Sequence, residues 1–190
     1  MSKTHIVGIC GSLRDGSHSR TALRVALETS ANYGASTDLI DLRKLDLPLY
    51  DPDEDQQGDS DELTERVQRA DGVILATPMY HGSYSSIIKT AMDYCGFDEF
   101  ENKTVGLLAV SGGSFPVTAL DQLRIVCRAV NAWVLPLQVG IPNASDVVDD
   151  EITDESIEDR VKQLGHRVVK YANIEADEPT FESTQNVGGE

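Results

Sequence analysis

The chain has 190 residues, 40% of them hydrophobic, which is enough for one domain with a sizeable core and gives no reason to expect two. Its 32 acidic residues outnumber 16 basic ones, and the formal net charge of −16 argues against nucleic acid or an anionic membrane as a partner. Apolar runs such as Val73-Ile74-Leu75-Ala76 are too short to span a bilayer, and the N-terminus enters a strand-like run with no apolar leader core, so a cytoplasmic location is expected.

His5–Ile9 reads as the first strand, and Ser19–Tyr33 follows with a helical stripe of Ala22, Leu23, Ala26 and Leu27 ending near Gly34. Thr37–Asp41 is a second strand, and Asp61–Arg69 a short helix led by acids that suit its positive end. Gly72–Thr77 is apolar throughout, as expected of a strand covered on both sheet faces. Ser85–Tyr94 is helical, Thr104–Val110 is a fourth strand, and Pro116–Val130 is a helix with proline near its first turn. Trp133–Val139 holds a fifth strand interrupted by Pro136, which suits a sheet edge. Asp154–Tyr171 is a last helix with Ile157, Val161, Leu164 and Val168 on one face. Residues 1–173 therefore form one domain, and the acidic, polar stretch 174–190 reads as a disordered tail.

Strands alternating with helices predict an α/β fold: a doubly wound, five-stranded parallel sheet of order 2-1-3-4-5 with helices on both faces. Such sheets bind ligands beyond the strand carboxyl ends, at the switch between the first and third strands, so the loops after Ile9, Ala76 and Val110 are the ones to inspect. The first, Gly11-Ser12-Leu13-Arg14-Asp15-Gly16-Ser17-His18-Ser19-Arg20, sets glycines and the hydroxyls of Ser12, Ser17 and Ser19 before a helix N-terminus, with Arg14 and Arg20 as fixed positive charge. It is neither a Gly-x-Gly-x-x-Gly fingerprint nor a P-loop, but it suits a phosphate. The second runs Thr77-Pro78-Met79-Tyr80-His81-Gly82-Ser83-Tyr84-Ser85 and the third Ser111-Gly112-Gly113-Ser114; both offer backbone donors with little bulk, and Tyr80 offers an aromatic face. Together the three loops suit a phosphorylated cofactor with a planar ring.

His81 could act as an acid or base, or could simply pack beside the ligand. No nucleophile–base pair or Gly-x-Ser-x-Gly elbow accompanies it. Cys10, Cys95 and Cys127 are scattered and read as reduced core residues, with a reactive thiol at Cys10 or Cys95 as the alternative; no metal site is expected. The acids spread through Asp51–Glu62 and Asp146–Asp159 as well as the tail, which suggests a halophilic surface rather than merely an acidic tail.

Gly11-Ser12-Leu13-Arg14, Gly16-Ser17 and Ser19-Arg20 are followed in order by Leu47-Pro48-Leu49-Tyr50-Asp51, Pro78-Met79-Tyr80-His81-Gly82-Ser83, Lys89-Thr90-Ala91-Met92-Asp93-Tyr94 and Ser111-Gly112-Gly113. Over about residues 4 to 172 this series resembles the NADPH-dependent FMN reductases of the flavodoxin-like superfamily, which include chromate-, quinone- and azo-reducing members. The resemblance implies that Ser12, Arg14, Ser17 and Ser19 hold the FMN phosphate, and that Pro78, Met79, Tyr80, Gly82 and Ser83 border the flavin ring and ribityl chain. Ser111 and Gly113 would close the other side of the ring, and His81 stands where many relatives carry Asn.

It further implies FMN and NADPH (or NADH) as cofactors and a homodimer or homotetramer with the FMN site near the subunit interface. Hydride would pass from nicotinamide to FMN and then to a small-molecule acceptor: a flavin, quinone, metal oxyanion or azo compound. No side chain is expected to be catalytic, since the cofactor carries the chemistry. The rival is a flavodoxin-type electron carrier that binds FMN without using nicotinamide directly; an iron–sulfur flavoprotein would need a compact cysteine set.

Overall fold

The computed structural model describes residues 3–55 and 57–172, so the stretch expected to be a disordered tail lies outside the described residues. In chain order the elements are β1 (His5–Cys10), α1 (His18–Asn32), β2 (Ser36–Asp41), a 3-10 turn (Leu42–Lys44), α2 (Ser60–Gln68), β3 (Gly72–Pro78), α3 (Ser86–Tyr94), α4 (Phe97–Phe100), β4 (Thr104–Val110), α5 (Val117–Ala129), β5 (Trp133–Ile141), α6 (Ala144–Val147) and α7 (Glu155–Tyr171). The strands form one parallel sheet of order β2-β1-β3-β4-β5, the flavodoxin-like order expected from the sequence.

Alternation along the strands explains the two layers. In β1, Ile6 and Cys10 join a core with Ala22, Leu23, Ala26 and Leu27 of α1 and Val161, Leu164 and Val168 of α7. Val7 and Ile9 point the other way, into a core with Leu63 and Val67 of α2, Ile88 and Ala91 of α3, and Leu120 and Leu123 of α5. The central strands β3 and β4 are buried on both faces, hence their unbroken apolar sequence.

β5 continues to Ile141, two residues beyond the expected end. Its register against β4 breaks between the pairs Val105↔Val134 and Leu107↔Gln138, so that Pro136 sits in an irregular stretch of an edge strand where its missing N–H costs no ladder bond. Pro116 occupies the N-cap of α5, just before its first turn. The short α4 and α6 carry too few residues to show a helical period, and the sequence does not distinguish them from loop.

Candidate functional site

The β1–α1 loop is set by contacts on both sides. Gly11 N–H donates to the Ala76 carbonyl at 2.8 Å, and Ser85 Oγ donates to the Gly11 carbonyl at 2.6 Å. A Cβ on Gly11 would lie 2.8 Å from Ile88 Cβ, so this glycine is required by the close packing of α3 against the end of β1. Ser17 caps α1 in extended conformation, its Oγ accepting from Arg20 N at 3.2 Å. The positive end of a 15-residue helix therefore opens beside the buried hydroxyls of Ser12, Ser17 and Ser19.

The two arginines of this loop differ. Arg14 is exposed and lines the cavity described below. Arg20 is buried; its Nη1 donates to Asp41 Oδ2 at 2.9 Å, while Nη2 donates to the carbonyls of Arg14, at 3.0 Å, and Asp15. Sequence reading pairs Arg20 with Arg14 as positive charge for a ligand, but in the fold its charge is matched by Asp41.

The loop after β3 closes as a two-residue hairpin. Tyr80 N–H donates to Ser83 O at 2.9 Å and Ser83 N–H to Tyr80 O at 3.0 Å, with His81 and Gly82 between them at φ 50° and 82°. Positive φ at both central positions is a type I′ turn, which selects residues that tolerate the left-handed region. This accounts for Gly82 and for His81, since histidine is among the residues that tolerate this region. The His81 side chain is exposed. α5 braces the turn: Ser83 Oγ and Gln122 Oε1 lie 2.6 Å apart, and Gln122 Nε2 reaches Gly82 O at 3.4 Å.

The loops after β4 and β5 are tied together. Ser111 N–H donates to Ile141 O at 2.9 Å, Asn143 N–H to Gly113 O at 3.1 Å, and Ala144 N–H to Ser111 O at 2.9 Å. This brings a fourth loop, after β5, to the cavity, and none of its residues is among those expected from the sequence. The available signal was its position, since every loop after a strand of a parallel sheet opens at the same end.

A cavity of about 280 Å³ lies among these loops. Of the residues expected from sequence, Ser12, Arg14, Ser17, Ser19, Pro78, Met79, Tyr80 and Ser111 line it, together with Gly16, His18, Val110, Gly112, Ala144 and Ser145. His81, Gly82, Ser83 and Gly113 do not; the first three form the hairpin at its edge. Gly16 and Gly112 both line the cavity, yet among the described residues a Cβ on either would meet no atom within 4 Å beyond its chain neighbours, so packing among these residues does not explain the two glycines. Helix amides, hydroxyls and one guanidinium from the β1–α1 loop, with Pro78, Met79, Tyr80 and Val110 from the ends of β3 and β4, fit a phosphate joined to a flat heterocycle.

The three cysteines are all buried and unpaired. Burial raises the pKa of Cys10, at the end of β1, and of Cys95, and pushes Cys127 up to about 12, so all three stay protonated thiols near neutral pH. Among the described residues no group of three His, Cys, Asp or Glu could hold a metal, and no helix is long and apolar enough to cross a membrane.

The sheet order and the cavity at its switch point define the flavodoxin-like class of α/β proteins. Within that class the chain belongs to the NADPH-dependent FMN reductase family, whose model matches residues 4–146. It is 30% identical over 176 residues to an FMN-dependent NADPH-azoreductase of Staphylococcus aureus, covering 87% of this chain and 93% of that protein. Among solved structures it is similar to the apo form of an NADH:FMN oxidoreductase (TM-score 0.75, 22% identity, 88% of this chain and 89% of that one). It is also similar to an NAD(P)H:acceptor oxidoreductase from Paracoccus denitrificans (TM-score 0.75, 20% identity, 89% and 97%). At these identities the structural likeness speaks for the fold.

Proposed function

We propose that the protein is an NAD(P)H-dependent FMN oxidoreductase that delivers reducing equivalents to a small-molecule acceptor. The observation that carries this reading is the joining, in one cavity, of a phosphate-type cradle after β1 and an apolar wall at Pro78, Met79 and Tyr80 after β3. FMN, when bound, supplies hydride acceptance and donation. Ser12, Ser17 and Ser19 offer hydroxyls to the phosphate beside the α1 N-terminus, and Arg14 supplies its cation. Pro78, Met79 and Tyr80 border the ring and ribityl chain, with Ser111, and Gly113 one peptide beyond the cavity lining, on the opposite side. Gly82 and Ser83 hold the edge of that wall, and His81 serves the turn rather than proton transfer.

The azoreductase relative makes an azo compound the first acceptor to try, with quinones, free flavin and metal oxyanions as alternatives. A homodimer or homotetramer is supported by the exposed Leu13, Tyr80, Phe115 and Val117, all in or beside loops at the cavity end of the sheet, which a second copy would cover. The net charge of −16 supports a protein adapted to high salt, and NADPH dependence together with three unpaired cysteines supports a cytoplasmic setting.

The test is anaerobic NADPH addition to the FMN-loaded protein in high salt, following the visible flavin band. Rapid bleaching, then recovery on adding an azo dye, is the expected course. A band that persists with both NADPH and NADH would sink the reductase reading and leave an electron carrier.

A further inference from the structure

We propose that Arg20 and Asp41 form a positioning pair that aims the phosphate loop, an assignment that rests on the FMN reading of the cavity. Arg20 is in the first turn of α1 and Asp41 ends β2, so the pair ties the loop to the neighbouring strand. The ion pair is 2.9 Å long, with the two side chains only 10% and 7% exposed, so it is neither solvated nor free to swing toward a ligand. Asp41 is itself fixed, since its other oxygen accepts from Arg43 N–H at 3.3 Å at the start of the 3-10 turn.

What the pair does follows from peptide geometry. Nη2 of Arg20 takes the carbonyls of Arg14 and Asp15. In a trans peptide the carbonyl of one residue and the N–H of the next point in opposite directions. Fixing these two carbonyls on the guanidinium therefore turns the N–H groups of Asp15 and Gly16 away from it, and Gly16 lines the cavity. The planar guanidinium bridges a carboxylate and two carbonyls at once, which the compact charge of a lysine cannot reproduce. Arg20 is thus a positioning residue: it orients loop amides for the phosphate and leaves the balancing charge to Arg14.

The test compares dissociation constants for FMN and riboflavin, which differ only by the phosphate, using quenching of flavin fluorescence on the full chain. R20M/D41N removes both charges together, so no lone buried charge remains to unfold the protein, and the side chain replacing Asp41 still accepts from Arg43. The FMN constant should rise about tenfold or more while the riboflavin constant stays within about twofold. R20K should move the same ratio in the same direction by a smaller factor.

Equal weakening of both flavins means a merely structural role and overturns the proposal, as does an unchanged FMN constant. If the double variant does not fold, the R20K ratio decides by the same criterion. A wild-type protein that binds FMN no better than riboflavin overturns the phosphate cradle itself, and this pair's role with it.

Discussion

Because the Arg20 guanidinium is already engaged by Asp41 and two loop carbonyls, Arg14 is the arginine left lining the cavity, and replacing it should remove affinity without removing a fold contact. Arg14→Ala is expected to raise the FMN dissociation constant by about tenfold or more, the worth of a charge-assisted bond of roughly 1.5–3 kcal/mol. The melting temperature of the ligand-free protein should shift by no more than about 1 °C. Titration of FMN and a thermal melt check both halves, and an unchanged FMN constant rejects the cradle. His81 makes the opposite case. At φ 50° it sits where a β-branched residue is strained, so His81→Val should cost about 1–2 kcal/mol in urea unfolding while His81→Asn should be near neutral. Loss of NADPH oxidation in His81→Asn, with its stability intact, would instead give the imidazole a part in the chemistry.

Among the elements, α1 and α7 cross at backbone contact. A Cβ at Gly165 would lie 2.2 Å from the Ala26 carbonyl oxygen, and Ser30 Oγ bridges the same place, 3.0 Å from Ala26 O and 3.1 Å from Gly165 O. Gly165→Ala must push the helices apart and is expected to cost about 3 kcal/mol, read as a lower urea midpoint with little change in slope. On the other face, Arg66 of α2 grips Asp38 of β2 with two bonds of 2.8 Å. The Arg66 bond holds the Asp38 carboxyl below its usual 3.8. A carboxyl depressed in the folded state adds stability above its unfolded pKa and loses it as pH falls through the folded value. Arg66→Met should therefore cost about 1 kcal/mol at pH 7, the modest worth of a partly exposed pair, and progressively less as pH drops below 3.8. Urea unfolding at pH 7 and near pH 3 tests the sign: an equal cost at both leaves packing, not charge, as the role of Arg66.

At the scale of the whole molecule, a net charge of −16 makes compaction work against self-repulsion that added salt screens. The melting temperature should rise by about 5 °C or more between dilute buffer and molar KCl, the equivalent of roughly 1–2 kcal/mol for a domain of this size. A flat salt response would remove the case for adaptation to high salt. The strand count, the parallel order and the end of the sheet at which the cavity opens were all legible in the sequence. Each follows from local pattern: apolar runs of strand length, helical stripes between them, and the rule that ligands bind beyond the strand carboxyl ends at the switch point. The Ser/Gly loop and the Pro78–Tyr80 segment were legible too, because their chemistry is contiguous in the chain.

Only the tertiary structure decided what depends on pairing across distance. It separated Arg20 from Arg14, since nothing local marks Asp41 as Arg20's partner. It gave Gly11 a packing reason set by Ile88 and His81 a backbone reason set by a turn. It brought Ala144 and Ser145 to the cavity through hydrogen bonds between the loops after β4 and β5. The sequence by itself determined the fold and the kind of ligand, because periodicity and residue chemistry are local properties. The division of labour among the site residues was left to the fold, because it depends on which groups come within hydrogen-bond reach once the strands lie side by side.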